Sequence, residues 1–163
     1  MAFGKKRLRR KRKVGGLVVL SARRKAKEKL IAKQEKELDQ FKARHPEFGE
    51  ALDEIRAKAA DGYQRECNYD VADHLSDVFE LALNAGTQRK LMMRELDAIF
   101  SRRSGANRYL SLMKAASVPS YNEKLLSKSA KRVQGAIKDG IRPENFEDYR
   151  KGFGKRDPKT PED

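Results

Sequence analysis

The sequence has a single cysteine, no tryptophan and only 7% aromatic residues. One cysteine excludes an intramolecular disulfide and a zinc site built from several cysteines, and it is typical of a reducing compartment. No apolar run approaches the roughly 18 residues that a membrane-spanning helix needs. Leucine, isoleucine, valine and phenylalanine together contribute 34 of the 163 residues, which allows only a small hydrophobic core. We therefore expect a cytoplasmic or otherwise intracellular protein without a transmembrane segment; cytosol, nucleoid, nucleus and virion interior are not distinguished.

Acidic residues are scarce at the N-terminal end. Residues 1–29 hold 13 lysines and arginines and one acid, Glu28, so they carry +12 of the net charge of +14. The densest stretch, residues 5–13, has eight cations in nine positions. Because like charges so close together repel one another, the pattern predicts a disordered basic N-terminal arm that orders when a polyanion neutralises it.

Nucleic acid is the polyanion that this arm fits best. Six to ten phosphate contacts shift affinity by roughly 10³–10⁵ between low and moderate salt, because each contact releases condensed counterions. A nuclear localisation signal has the same composition. Contact with an anionic membrane surface, aided by the apolar segment 14–20, is another interpretation. A signal peptide fits poorly, because that segment is short and contains two glycines.

Apolar residues recur at helical spacing along most of the chain, and no segment alternates long enough to predict a sheet. The predicted class is all-α: a small helical bundle of about five helices, preceded by a long projecting helix and the disordered arm. Ser21 is the predicted N-cap of the long helix, which ends near Arg44 ahead of Pro46. The predicted divisions are the basic arm with a short apolar segment (1–20), a long charged helix (21–45), the helical bundle (46–141) and a tail with a short helical turn (142–163).

The long helix 21–44 has a thin apolar stripe that includes Leu30, Ile31, Leu38 and Phe41. So narrow a stripe buries little surface. It predicts a helix that projects, or one that pairs with a second copy or a protein partner. The preceding segment 14–20 is rich in β-branched residues and predicts a short strand or a packing segment.

A helix predicted over 120–140 separates charge from apolar surface. At about 100° per residue, its cations share one face: Lys124, Lys128, Lys131, Arg132 and Lys138. Its apolar residues share the opposite face: Leu126, Ala130, Val133 and Ile137. Ser120 and Glu123 have the spacing of a capping box at its start. The cationic face is either a second contact surface for a phosphate backbone or an ordinary solvated helix face.

Residues 108–127 also fit a helix-turn-helix, in which the second helix enters the major groove. Tyr121, Asn122 and Lys124 would then contact base edges. The fit is imperfect, because Glu123 stands where that motif expects a buried aliphatic residue. Two helices joined by a turn occur in any bundle, so an ordinary helical pair is the alternative interpretation.

No pattern predicts an enzyme, a metal site or a cofactor. An acidic group on one helix face has the spacing of metal ligands or of an acid–base pair: Asp70, Asp73, His74, Asp77 and Glu80. Acids near a helix start also complement the helix dipole and pair with neighbouring basic helices, and that interpretation is the better supported. Cys67 lacks the basic surroundings of a reactive thiol.

Three aromatics near the C-terminal end, Phe146, Tyr149 and Phe153, alternate with cations. Such interleaving is typical of proteins that stack bases of single-stranded nucleic acid. Aromatics at helical spacing also anchor a tail to a bundle, which is the second interpretation.

These observations predict a nucleic-acid-binding protein whose arm contacts phosphates and whose bundle positions the arm. Duplex DNA is slightly favoured over RNA, because the body offers helices and few aromatics. An assembly protein of a virion, packaging or scaffold type is the alternative, and a ribosome-associated protein is a second one. The predicted phosphate-binding residues are Lys5, Lys6, Arg7, Arg9, Arg10, Lys11, Arg12, Lys13, Arg23, Arg24, Lys124, Lys128, Lys131, Arg132 and Lys138.

Overall fold

The computed structural model describes the backbone over residues 4–65, 74–100, 107–118 and 122–152, with side chains for 22–61 and for the three later ranges. The described residues form α-helices and short 3₁₀ segments and include no strand. The all-α prediction is therefore confirmed. The α-helices are α1 (Gly4–Arg44), α2 (Pro46–Arg65), α3 (Leu75–Asn84), α4 (Arg89–Ile99), α5 (Leu110–Ala116), α6 (Glu123–Lys138) and α7 (Phe146–Gly152). The 3₁₀ segments Gly86–Gln88 and Pro143–Asn145 precede α4 and α7.

Contacts within the chain define two compact units, Met1–Glu37 and Leu38–Asp163. The first unit consists mainly of α1, where the exposed i,i+4 pairs Arg24–Glu28 and Lys33–Glu37 lie at 3.0 and 3.6 Å. The second unit contains the last residues of α1 and all of the later helices.

The prediction of a disordered arm is wrong, because α1 begins at Gly4 and continues to Arg44. The helix includes residues 5–13, the segment 14–20 for which a strand is one prediction, and Ser21, which is internal and not an N-cap. Lysine and arginine are good helix formers. Like-charge pairs at i,i+4 cost only about 0.2–0.5 kcal/mol each, and extending an existing helix avoids the cost of a new nucleus. The predicted end at Arg44 is confirmed.

Proline and glycine mark the helix boundaries that the sequence predicts. Pro46 occupies the first position of α2, where its missing N–H costs no helical hydrogen bond. Gly86 follows α3 with φ +50° and Gly140 follows α6 with φ +66°. Both have the left-handed backbone that glycine adopts without steric cost, which suits the residues that follow a helix end.

The core of the second unit draws residues from both sides of the range 46–141. The largest fully buried apolar side chains are Leu38, Phe41, Leu52, Leu75, Val78, Phe79, Leu96, Leu112, Met113, Val133 and Phe146. Leu38 and Phe41 belong to the end of α1, and Phe146 begins α7. Phe41 packs edge-on against Phe48 of α2, with ring centroids 5.8 Å apart.

Burial of Leu38 and Phe41 changes the interpretation of the stripe on the long helix. Leu38 is 1% exposed and Phe41 is fully buried, so neither side chain is available to a second copy or to another partner. Of the four stripe positions, Leu30 is 52% exposed and Ile31 is half-buried. The remaining apolar surface is small.

We expect Leu38→Ala to lower the free energy of unfolding by about 2–5 kcal/mol, because it removes a buried side chain and leaves a cavity. Leu30→Ala removes the same atoms from an exposed position of the same helix and should change stability by less than about 0.5 kcal/mol. Urea unfolding followed by circular dichroism measures both. Equal effects of the two substitutions would contradict the placement of Leu38 in the core.

The helix α7 is attached to the bundle by stacking and by hydrogen bonds. The rings of Phe146 and Phe79 stack with centroids 4.3 Å apart and an interplanar angle of 12°. The Ser76 hydroxyl on α3 donates to Glu147 at 2.8 Å. This hydrogen bond, followed by one from Arg150, lowers the pKa of the Glu147 carboxyl below its usual value of 4.5.

We expect Ser76→Ala to raise the pKa of Glu147. The lowered pKa means that the folded state favours the carboxylate, so its contribution to stability is present above pH 4.5 and is lost as the pH falls through the lower folded pKa. Ser76→Ala should therefore reduce the loss of stability that occurs as Glu147 becomes protonated. Carboxyl-carbon NMR over a pH series measures the pKa, with Ser127→Ala as the control. An unchanged titration of Glu147 in Ser76→Ala would contradict the assignment.

Candidate nucleic-acid interface

Helix α6 has one buried face and one cationic face, and the two are opposed. Leu126, Ala130 and Val133 are buried, and Ile137 is half-buried. On the other side four lysines are exposed and Arg132 is half-buried. We call these five cations the α6 cation face: Lys124, Lys128, Lys131, Arg132 and Lys138. The spacing in the sequence predicts this separation, and the packing of α6 against α3 and α5 produces it.

None of these five cations forms an ion pair with a carboxylate in the described part of the chain. Two acids flank them in the sequence: Glu123, which pairs with Lys114 at 2.8 Å, and Asp139, which accepts a hydrogen bond from the Tyr149 hydroxyl at 2.9 Å. The α6 cation face therefore presents a row of positive charge on a rigid element that packs into the core.

Several other cations of the same unit pair with acids. Four of them lie within 3.0 Å of an acidic oxygen: Lys42 with Asp53, Arg44 with Glu95, Lys58 with Asp77, and Arg150 with Glu147. Hydrogen bonding to Asp77 raises the pKa of Lys58. Unlike these four cations, the α6 cation face has no carboxylate partner among the described residues and is available to an external anion.

The start of α6 differs from the predicted capping box. The N-cap is Asn122, whose side-chain oxygen accepts a hydrogen bond from the Lys124 N–H at 2.9 Å. Asparagine caps as well as serine does, so the N-cap lies two residues later than the predicted Ser120. Glu123 pairs with Lys114 of α5 at 2.8 Å, and this contact joins α5 to α6.

The helix-turn-helix hypothesis gains no base-reading residue from this arrangement. Helices α5 and α6 pack against each other, but the side chain of Asn122 is engaged in capping. Tyr121 lies outside the described residues. Lys124 is exposed at the first turn of α6, where a phosphate contact suits it as well as a base contact.

The cations of the predicted arm lie on α1. The side chains of Lys5 to Lys13 lie outside the part of the structure for which side chains are described. Arg23 is exposed, and the Arg24 guanidinium pairs with Glu28 at 3.0 Å with 84% of its side chain exposed. An exposed i,i+4 pair is worth only about 0.3–0.5 kcal/mol, so a phosphate can replace Glu28 at small cost.

A second basic cluster, which the sequence analysis does not predict, lies along α4. Arg89, Lys90 and Arg94 lie on one side of this helix, and Arg108 reaches the same cavity from the segment before α5. The spacing of the three α4 cations is visible in the sequence. The contribution of Arg108 is not, because it depends on how the chain returns after residue 100.

Of the acidic group that the sequence suggests, one carboxylate has a described partner within the protein. Asp70 and Asp73 lie outside the described residues, and Asp77 pairs with Lys58 at 3.0 Å. Burial lowers the pKa of His74, which favours the neutral imidazole. Among the described residues no three histidine, cysteine or acidic side chains are grouped as metal ligands.

Two of the three aromatics near the C-terminal end, Phe146 and Tyr149, anchor α7. Phe146 is fully buried, so the hypothesis that it stacks on nucleobases is wrong. Burial and a hydrogen bond to Asp139 raise the pKa of Tyr149 to about 12. Phe153 lies outside the described residues, as does Cys67.

None of the helices in the described part of the chain combines the length and the apolar character that a membrane span needs. Comparison with protein-family models, with curated proteins and with solved structures finds no match for this chain.

Proposed function

We propose that this protein binds nucleic acid through its phosphate backbone, and that the basic segment 5–13 and the α6 cation face each contribute phosphate contacts. The proposal assigns the protein a binding role and no catalytic one. Duplex DNA is slightly favoured, because a helix presents the cations of the bundle and the described aromatics are mostly buried or half-buried.

The observation that supports this proposal most strongly is the α6 cation face. Lys128 and Lys131 are exposed on a helix whose other side is buried, and neither pairs with a carboxylate among the described residues. Phosphate contacts from a rigid helix fix the orientation of a protein on a duplex without reading sequence.

The basic segment 5–13 supplies further phosphate contacts. Residues 5–13 supply eight cations in nine positions, and α1 places them on one helix with Arg23 and Arg24. A helix presents its charges at a fixed rise of about 1.5 Å per residue. Binding through this segment therefore costs less ordering entropy than binding through a disordered arm.

The assembly hypothesis is less well supported. It relies on self-association or a protein partner at the apolar stripe of helix 21–44, and the core contains two of the four stripe residues, Leu38 and Phe41. Leu30 and Ile31 leave too little apolar surface for a stable interface.

Fluorescence anisotropy across a salt series tests the proposal, with labelled single-stranded DNA, duplex DNA and duplex RNA. The full chain is compared with a variant in which the eight cations of residues 5–13 become glutamine. A matched control exchanges lysine for arginine and arginine for lysine at the same positions, so it keeps the charge and the helix propensity. We expect the control to retain the slope of log affinity against log salt concentration. In the glutamine variant this slope should fall by several units. Absence of salt-dependent binding by the full chain would overturn the proposal.

A further inference from the structure

We infer that the second basic cluster is a binding site for a phosphate group. A cavity of about 170 Å³ lies along α4 and is lined by Arg89, Lys90, Met93, Arg94, Asp97 and Arg108. Four of its six lining side chains are cationic and one is acidic. The α6 cation face does not line this cavity.

Arg89 is held in place at the cavity and is incompletely satisfied. Its guanidinium donates to the Leu83 carbonyl at the end of α3, at 3.3 Å. Its Nε is buried and has no hydrogen-bond acceptor within the described structure. A buried N–H without a protein acceptor is uncommon, and in many such cases a bound anion or water accepts its hydrogen bond.

The other cations of the cavity are also available to an anion. Lys90, Arg94 and Arg108 are exposed, and none of them forms an ion pair with an acid in the described ranges. Asp97 accepts a hydrogen bond from the Ser111 hydroxyl of α5 at 2.6 Å. One carboxylate does not balance four cations, so the cavity keeps a net positive charge.

The size and charge of the cavity suit an oxyanion such as phosphate. A single water molecule needs only about 10–15 Å³, so the cavity has room for a phosphate group with attached water. Arginine presents a planar set of N–H donors that matches two phosphate oxygens at once. Three arginines from two different segments line this space, and a phosphate offers them more acceptor oxygens than a carboxylate does.

A hydrogen bond links the segment that carries Arg108 to α6. The Asn107 side-chain amide, adjacent to Arg108, donates to the Gln134 carbonyl oxygen of α6. Gln134 follows Lys131 by three residues and precedes Lys138 by four, so all three share one side of the helix. The phosphate is therefore either a free ion or monoester, or a phosphodiester of a backbone that continues onto α6. The phosphodiester alternative rests on the proposed function.

NMR of the arginine Nε–Hε groups tests the site in the full chain, with inorganic phosphate as the probe. We expect the Arg89 signal to shift and saturate as phosphate is added. Arg94→Gln and Arg108→Gln should each weaken that binding at least about tenfold, because each removes a charged, bidentate donor. Arg142→Gln is the control, since Arg142 is exposed and lies outside the cavity. It should leave the affinity unchanged.

Addition of a short DNA duplex to the phosphate-loaded protein distinguishes the two sources. Displacement of phosphate supports a backbone phosphodiester at the site. If the duplex binds without displacing phosphate, the site takes a free phosphate or a monoester. If the duplex does not bind at all, the same conclusion holds and the proposed function is refuted. A non-saturating shift of Arg89, or an equal loss of affinity in Arg142→Gln, would overturn the inference.

Discussion

Replacing Lys128 and Lys131 with glutamine is expected to weaken duplex DNA binding roughly 30-fold near 0.15 M salt and to reduce the salt slope by about 1.8. Both side chains are exposed on α6. Neither forms an ion pair with a described acid, so each is free to contact a phosphate. A lost phosphate contact removes about 0.9 from the slope of log affinity against log salt. The loss of two phosphate contacts therefore lowers the slope by about 1.8, and at about 0.15 M salt this change in slope corresponds to the roughly 30-fold loss of affinity.

A matched control separates this effect from the change in net charge. Lys58→Gln with Lys151→Gln removes the same two charges from exposed lysines that pair with Asp77 and Asp148 at 3.0 and 3.7 Å. This control variant should bind within about twofold of the parent, because long-range charge is largely screened at about 0.15 M salt. Fluorescence anisotropy measures all three proteins. If both double variants lose affinity equally, α6 is not a specific contact surface.

Phe146→Ala is expected to lower the free energy of unfolding by about 3–5 kcal/mol, the range for truncating a buried aromatic side chain. The ring is fully buried and stacks on Phe79 at 4.3 Å, so its loss opens a cavity between α3 and α7. Phe146→Leu keeps much of the volume and should cost about half as much. Leu91→Ala, at a position that is 53% exposed, is the surface control. Urea unfolding of the full chain measures the three free energies.

A small effect of Phe146→Ala, comparable to that of Leu91→Ala, would place α7 outside the core. The same result would remove the physical basis for rejecting base stacking by Phe146.

Much of this fold is predictable from sequence because its signals are local. Pro46, Gly86 and Gly140 mark helix boundaries through backbone preferences that depend on few neighbours. The two faces of α6 follow from residue spacing, so the orientation of Lys128 and Lys131 away from Val133 is predictable as well.

The wrong predictions have two causes: tertiary contacts, and small energies that oppose one another. The sequence does not reveal that Phe146 lies on Phe79, 67 positions earlier in the chain, or that Leu38 belongs to the core of the second unit. Charge repulsion is conspicuous in the basic segment and leads to the prediction of disorder. Helix propensity and continuity with the rest of α1 act in the opposite direction.

The cluster around Arg89 illustrates the same limit for a site. Three of its cations are neighbours on α4, but the fourth, Arg108, joins them only after the chain folds back. Periodicity identifies the face of one helix. It does not identify a cavity that two segments build.

The most direct test of the central claim is an NMR titration of the uniformly labelled full chain with a short DNA duplex at moderate salt. The account predicts that chemical-shift changes concentrate on the α6 cation face and on the adjoining Asn107 and Arg108. The surface around the Lys58–Asp77 pair should remain unchanged. Changes centred on that paired surface, or no changes in the bundle at all, would contradict the assignment of α6 as a phosphate-binding surface.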